Sequence, residues 1–157
     1  MIKTVLIIGG IAFLVALPSG WTSPDDNRWF FQLSRPKWLT FEWAIPLIWM
    51  IIFVSAIASA VIVWEKEPGT FHSWLRMGLF LLLEIMTMAY TSVMCKIRSL
   101  SVGVLIGGTG AILSIMLAIS VFPVSIWASL CLLPYVLWSP IGTYTTWEMI
   151  HLNPGSE

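Results

Sequence analysis

The chain has 157 residues, of which 58% are hydrophobic and 10% are charged, and its formal net charge at pH 7 is zero. A soluble domain carries roughly 25% charged residues, so the composition excludes that class and predicts an integral membrane protein. The balanced charge gives no indication of a nucleic-acid partner.

Five apolar runs predict five membrane-spanning helices. In chain order they cover residues 2–17, 44–64, 74–94, 100–121 and 125–150. Lys3 before the first run is also typical of a signal peptide, but the cleavage signal is weak, so we interpret the run as a retained helix ended by Pro18 and Gly20. The other four runs approach the ~20 residues that cross ~30 Å of hydrocarbon. The predicted fold is one all-α bundle of five transmembrane helices, a single domain over residues 1–157.

The positive charges predict an orientation for this bundle. We number the connecting loops one (18–43), two (65–73), three (95–99) and four (122–124). Five spans place loop one, loop three and the C-terminus on the same side of the membrane, with five Lys and Arg residues against three on the other side. Cytosolic segments carry the excess of cations, so loop one and the C-terminus are predicted to be cytosolic.

Glu84 is the carboxyl group that lies well inside a predicted span. An ionisable group at that depth costs several kcal/mol unless it is neutralised, paired or hydrated. Two interpretations stay open: Glu84 contributes to a ligand site, or it is protonated and hydrogen-bonded to a neighbouring helix, for example at Ser55 or Ser59.

Tryptophan is unusually frequent, with ten residues in the chain. Most lie near helix ends, as expected for anchors at the membrane interface. Trp49 and Trp138 lie about two turns inside their helices, where an indole packs in the bundle or lines a cavity. Tyr135 and Trp138 are three residues apart, and they predict an aromatic wall facing the interior.

Other motifs indicate packing rather than chemistry. Gly103, Gly107 and Ala111 form a small-residue stripe, which allows close helix contact inside the bundle or, alternatively, across a homodimer. Cys95 and Cys131 lack the spacing of a metal site or redox pair, so no metal site is predicted.

Loop one contains the run Trp-Phe-x-x-Leu-x-Arg-Pro-x-Trp at residues 29–38, and Trp49 follows Pro36 by thirteen residues. The last helix contains Leu-Pro-Tyr-x-x-Trp at residues 133–138 and ends with Leu152 and Asn153. These motifs resemble those of the TspO/MBR family, the tryptophan-rich sensory or translocator proteins. In that family the second residue of the loop motif is Tyr, where this chain has Phe30.

The resemblance implies a five-helix protein that binds tetrapyrroles, such as protoporphyrin IX or haem, in a pocket inside the bundle that loop one caps. It implies a sensing, regulatory or transport role in the lipid bilayer and no required cofactor. Together with the residue analysis it predicts these ligand-binding residues: Trp29, Phe30, Arg35, Pro36, Trp38, Trp49, Glu84, Thr87, Tyr90, Tyr135, Trp138 and Thr146.

Two alternatives remain at this point. Trp49 and Trp138 match family tryptophans associated with oxidative porphyrin degradation, so they are the candidate catalytic residues if the protein is an enzyme. The protein could instead be a membrane scaffold or assembly partner without a small-molecule ligand, since Thr146 and other polar positions differ from the family pattern.

Overall fold

The fold was analysed in a computed structural model that describes residues 1–17 and 23–156. Over these residues it is all-helical, with a short 3₁₀ turn at Glu42–Ala44. The predicted helix end at Pro18 and Gly20 lies outside the described residues. The α-helices are α1 Ile2–Ala16, α2 Pro24–Gln32, α3 Ile45–Lys66, α4 Phe71–Ile97, α5 Leu100–Val121 and α6 Ile126–Leu152.

Four of these helices are long and apolar enough to cross a membrane. They are α3 with its preceding 3₁₀ turn, α4, α5 and α6, with lengths of 22 to 27 residues. Helix α1 is apolar but has only 15 residues, or about 22 Å of helix. The protein is therefore a multi-pass integral membrane protein with four long spans and a shorter apolar helix.

Helix α2 in loop one was not predicted, so the described residues contain six α-helices rather than five. The side chain of Ser23 accepts a hydrogen bond from the Asp26 N–H at 3.1 Å, and Pro24 occupies the first turn. Both are ordinary signals of a helix start. The carboxylates of Asp25 and Asp26 in the first turn also interact favourably with the positive end of the helix dipole. The predicted helices rest on apolar runs, and α2 is polar, so no such run indicates it.

Hydrogen bonds between distant segments show how the helices alternate in direction. At one end, which we call the loop-one end, Asn153 bonds to the backbone of Ser34. At the other end, the loop-two end, the Met1 amino group lies 3.1 Å from Glu65, and Lys66 donates to the Val124 carbonyl. The structure thus groups loop one with the C-terminus and the N-terminus with loops two and four.

The buried core has two parts. The larger part lies among α3, α4, α5 and α6, where Ile52, Leu83, Leu117 and Leu132 are almost fully buried. The smaller part lies at the loop-one end and consists of Met94, Cys95, Leu100 and Met149, with side chains of loop one packed over it. Loop one therefore closes one end of the bundle by hydrophobic contact.

The glycine stripe of α5 faces the neighbouring helices. A Cβ atom on Gly103 would lie 2.5 Å from the Met94 sulfur, and one on Gly107 would lie 2.6 Å from Thr143 Oγ1. Real Cβ contacts are not this short, so a larger residue at either position would force a neighbouring side chain of α4 or α6 to move. Of the two interpretations of this stripe, packing inside the bundle is confirmed for these two glycines.

Candidate functional site

A cavity of about 550 Å³ lies between α1, α3, α4 and α6. Pockets for small molecules typically measure roughly 300–1,000 Å³ and are mainly apolar, with a few polar groups that orient the ligand. This cavity follows that pattern, because most of its lining is aliphatic or aromatic. Its aliphatic and aromatic lining residues include Ile7, Ile8, Ile11, Ile52, Phe53, Ile57, Trp64, Trp74, Met77, Phe80, Leu81 and Leu83.

The loop-two end of the cavity carries Lys3, Trp64 and Trp74. The two indole rings meet edge to face, with centroids 4.8 Å apart and an interplanar angle of 77°. Aromatic pairs prefer this geometry, which fixes the ends of α3 and α4 relative to each other. Along α4 the lining continues from Trp74 to Thr87, a rise of about 20 Å. The cavity therefore extends from the membrane boundary well into the bundle.

Three polar side chains line the deeper part of the cavity: Glu84, Thr87 and Tyr135. Thr87 Oγ1 lies 2.8 Å from the Leu83 carbonyl, to which it donates, and 2.7 Å from Tyr135 Oη. Because the Thr87 hydrogen is used for the carbonyl, the Tyr135 hydroxyl is the donor to Thr87. These two hydroxyl groups form a fixed polar point in an otherwise apolar wall.

Glu84 is not held in the way that one sequence interpretation required. Its Oε1 atom is buried and has no hydrogen-bond partner within residues 1–17 and 23–156. Ser59, one suggested partner, donates instead to the Ala128 carbonyl at 2.7 Å. The suggested bond between Glu84 and Ser59 is therefore absent, and Glu84 lines the cavity without a hydrogen bond to its Oε1 atom.

The other predicted residues lie outside this cavity, and two of them pair with each other. Tyr90 and Thr146 share a hydrogen bond between their hydroxyl groups, and Thr146 donates to the Gly142 carbonyl at 3.1 Å. Tyr90 also packs against the smaller core at the loop-one end. This pair joins α4 to α6 and does not line the cavity.

Arg35 is engaged by its own loop. Its guanidinium group lies 2.5 Å from the Glu42 carboxylate and 5.1 Å from the centre of the Phe30 ring. Phe30 and Trp29 pack against the smaller core, and Pro36 is buried. The structure thus places these predicted ligand contacts in a folded cap at the loop-one end.

Trp38 and Asn153 attach this cap to α6. Trp38 Nε1 donates to Glu148 Oε2 at 2.6 Å, and the indole stacks on the Tyr144 ring at 6.2 Å. Asn153 accepts from the Ser34 N–H at 2.7 Å and donates to the Ser34 carbonyl at 2.9 Å. Asn153 belongs to the Leu-Asn pair that ends the last motif, and nothing in its spacing pointed to this two-way bond.

Trp49 and Trp138 do not meet in one cavity. The centre of the Trp49 ring lies 6.0 Å from that of Phe53 and 6.1 Å from that of Tyr135, and both of these side chains line the cavity. Trp138 lines a separate apolar groove of about 250 Å³ between α3 and α6 and contacts Phe41. An oxidative role shared by these two tryptophans gains no support from this separation.

Several cavity residues were missed by sequence reasoning, notably those of α1 and the tryptophans at the loop-two end. Apart from Lys3 and Thr4 near its start, helix α1 is apolar on all sides, so its sequence does not distinguish a cavity face from a lipid face. Trp64 and Trp74 lie near helix ends and were therefore interpreted as interface anchors. In the described part of the chain, no group of three or more His, Cys, Asp or Glu side chains is arranged to hold a metal ion.

Comparison with known proteins identifies the family. The sequence profile described as "TspO/MBR family" matches residues 4–152. The chain belongs to the TspO/MBR family. It is similar to the tryptophan-rich protein TspO of Bacillus cereus, with 28% identity over 98% of this chain and 99% of the relative. It is also similar to the uncharacterized membrane protein YtaB of Bacillus subtilis, with 29% identity over 94% of this chain and 97% of the relative.

A more distant similarity is to protein CrtK of Rhodobacter capsulatus, with 24% identity over 85% of this chain and 83% of the relative. The matched region includes both motif runs, at residues 29–38 and 133–138. The TspO/MBR resemblance drawn from those motifs is therefore confirmed.

Proposed function

We propose that this TspO/MBR protein binds a planar hydrophobic ligand, with a tetrapyrrole such as protoporphyrin IX or haem as the first candidate. The ligand would occupy the cavity between α1, α3, α4 and α6. The observation that supports this proposal is the cavity itself, about 550 Å³ of mainly apolar space with three polar side chains in its deeper part. Family membership supports a membrane sensory or transport role.

The cavity offers contacts that suit a flat ring carrying carboxylates. Phe53, Phe80 and Trp74 present aromatic surfaces, and each stacked pair adds roughly 0.5–1.5 kcal/mol beyond burial. Lys3 provides a cation at the loop-two end, where carboxylates would reach water. In this proposal loop one acts by closing the opposite end of the bundle, so Trp29, Arg35 and their neighbours affect the ligand indirectly.

Titration of the protein in lipid nanodiscs with protoporphyrin IX tests this proposal. We expect a saturable shift of the Soret absorption band with one ligand per protein, because a defined cavity holds one macrocycle. Nanodiscs without protein provide the control for partition into lipid. Absorption changes that match those of the empty nanodiscs at every concentration would refute tetrapyrrole binding.

We also propose that α1 is a fifth span and that loop one and the C-terminus lie in the cytosol. The grouping of the chain ends described above is the one that five alternating spans require. The side that carries loop one also carries five of the eight Lys and Arg residues. Cytosolic segments carry such an excess in most membrane proteins.

Labelling of single cysteines tests this topology. In a background where Cys95 and Cys131 are replaced by Ala, we expect Ser34→Cys and Ser156→Cys to react with an impermeant maleimide in inverted vesicles but not in intact cells. Reaction of the two positions from opposite sides would reject the five-span arrangement. Reaction of both in intact cells would reject only the orientation.

A further inference from the structure

Glu84 is a carboxyl group without a partner in the wall of the cavity. Its Oε1 atom is buried and accepts no hydrogen bond from any residue that the structure describes. The other charged residue in the lining is Lys3, at the loop-two end. Glu84 lies ten residues beyond Trp74 along α4, or about 15 Å deeper in the cavity. Lys3, at the loop-two end, makes no hydrogen bond to Oε1 of Glu84.

The nearest cation on the same helix is already used. Arg76 lies eight residues before Glu84, or about 12 Å along α4. Its guanidinium group lies 2.6 Å from the Glu67 carboxylate and donates to the Ser120 carbonyl at 3.1 Å. This arrangement ties loop two to the end of α5, and it leaves Glu84 without a counter-ion from Arg76.

We propose that the cavity selects hydrophobic ligands that carry a protonated nitrogen, which binds at Glu84. An unpaired carboxylate in an apolar environment is unfavourable, and a ligand ammonium group would give it a short, charge-assisted hydrogen bond. Glu84 and Thr87 are three residues apart on α4 and both line the cavity. The hydroxyl oxygens of Thr87 and Tyr135 could accept further hydrogens, since an ammonium group has up to three to donate.

This inference rests on the proposed function, because it requires that the cavity accepts a hydrophobic ligand. It adds a preference for ligands that carry a positive charge. It also orients a ligand that bears carboxylates. Like charges repel, so such a ligand would direct its carboxylates toward Lys3 and away from Glu84. The cavity would then bind cations at depth and anions at its loop-two end.

Three probes with the same ring system test the preference: 1-pyrenemethylamine, 1-pyrenemethanol and 1-pyrenecarboxylic acid. Binding is measured by energy transfer from tryptophan to pyrene in phosphatidylcholine nanodiscs, with empty nanodiscs as the partition control. We expect the amine to bind at least about tenfold more tightly than the alcohol, which corresponds to about 1.4 kcal/mol. The acid is expected to bind less tightly than the amine.

Two variants separate Glu84 from general charge effects. Glu84→Gln keeps the shape but removes the charge, so we expect the amine to bind no better than the alcohol. Thermal unfolding in the same nanodiscs shows whether the variant is folded. Glu65→Gln is the matched control. Glu65 pairs with the Met1 amino group at the loop-two end, the end that carries Lys3. We expect this variant to keep the preference for the amine.

The outcomes distinguish this inference from the proposed function. Equal affinity of the wild-type protein for amine and alcohol overturns the charge preference but leaves a ligand cavity in place. A preference for the amine over the alcohol that persists in Glu84→Gln overturns the role of the carboxylate. Failure of all three probes to bind, together with failure of protoporphyrin IX, overturns both proposals.

Discussion

Replacing Gly78 by Phe is expected to reduce protoporphyrin IX binding at least tenfold without unfolding the protein. Gly78 lines the cavity from α4, and a Cβ atom there has no neighbour within 4 Å. A phenyl ring at this position would start in open space and enter the volume that the ligand needs. Soret titration measures the loss of binding, and thermal unfolding in the same nanodiscs shows whether the fold is intact.

Gly10→Phe is the matched control for this experiment. Gly10 lies in α1, is exposed, and also has open space around a Cβ atom, but it does not line the cavity. We expect this variant to bind protoporphyrin IX as the wild-type protein does. If Gly78→Phe also binds protoporphyrin IX normally, the ligand does not occupy this cavity.

Replacing Gly107 by Ala is expected to destabilise the bundle by about 1–3 kcal/mol, the usual cost of adding a methyl group to a packed interior. The new Cβ would lie 2.6 Å from Thr143 Oγ1 and 3.2 Å from Tyr90 Cε2. Thr143 cannot turn away freely, because its hydroxyl donates to the Ser139 carbonyl at 2.8 Å. We therefore expect α5 to separate from α6, with a lower melting temperature in detergent.

Gly108→Ala tests the same chemical change one residue further along. A Cβ on Gly108 would lie 3.9 Å from Thr143 Cγ2, which is ordinary van der Waals contact. Ala favours helices over Gly by up to about 1 kcal/mol, so this variant is expected to be neutral or slightly more stable. Equal melting temperatures for the two variants would show that Gly107 is not a tight contact between helices.

The long helices could be predicted closely because each follows from a local property. Helix α5 coincides with its predicted range of residues 100–121, and the other three long helices differ by one to three residues at each end. Helix α4 extends three residues beyond its predicted range at each end, because its caps lie further out. Thr70 accepts a hydrogen bond from the Ser73 N–H at 3.1 Å, and Arg98 ends the helix with a left-handed φ of 56°. Such caps depend on side-chain geometry that hydropathy does not contain.

The candidate site could be predicted only in part. Glu84 was singled out because an ionisable group inside a membrane span is unusual, Tyr135 as part of an aromatic wall and Thr87 through the family resemblance. All three line the cavity. The loop-one residues carry one of the two family motifs, yet they form a cap at the opposite end from Lys3 and Trp74. A motif identifies the family and does not show where the helices leave space.

The amino-acid sequence by itself determined the membrane class, the four long spans and the TspO/MBR family, because each depends on the composition or spacing of neighbouring residues. The tertiary structure alone decided where the cavity lies and that Glu84 has no partner in the described residues. It also decided that Asn153 bonds to Ser34, 119 residues away. These features depend on how apolar helices pack side by side, and an all-apolar surface such as that of α1 carries no pattern that selects one neighbour over another.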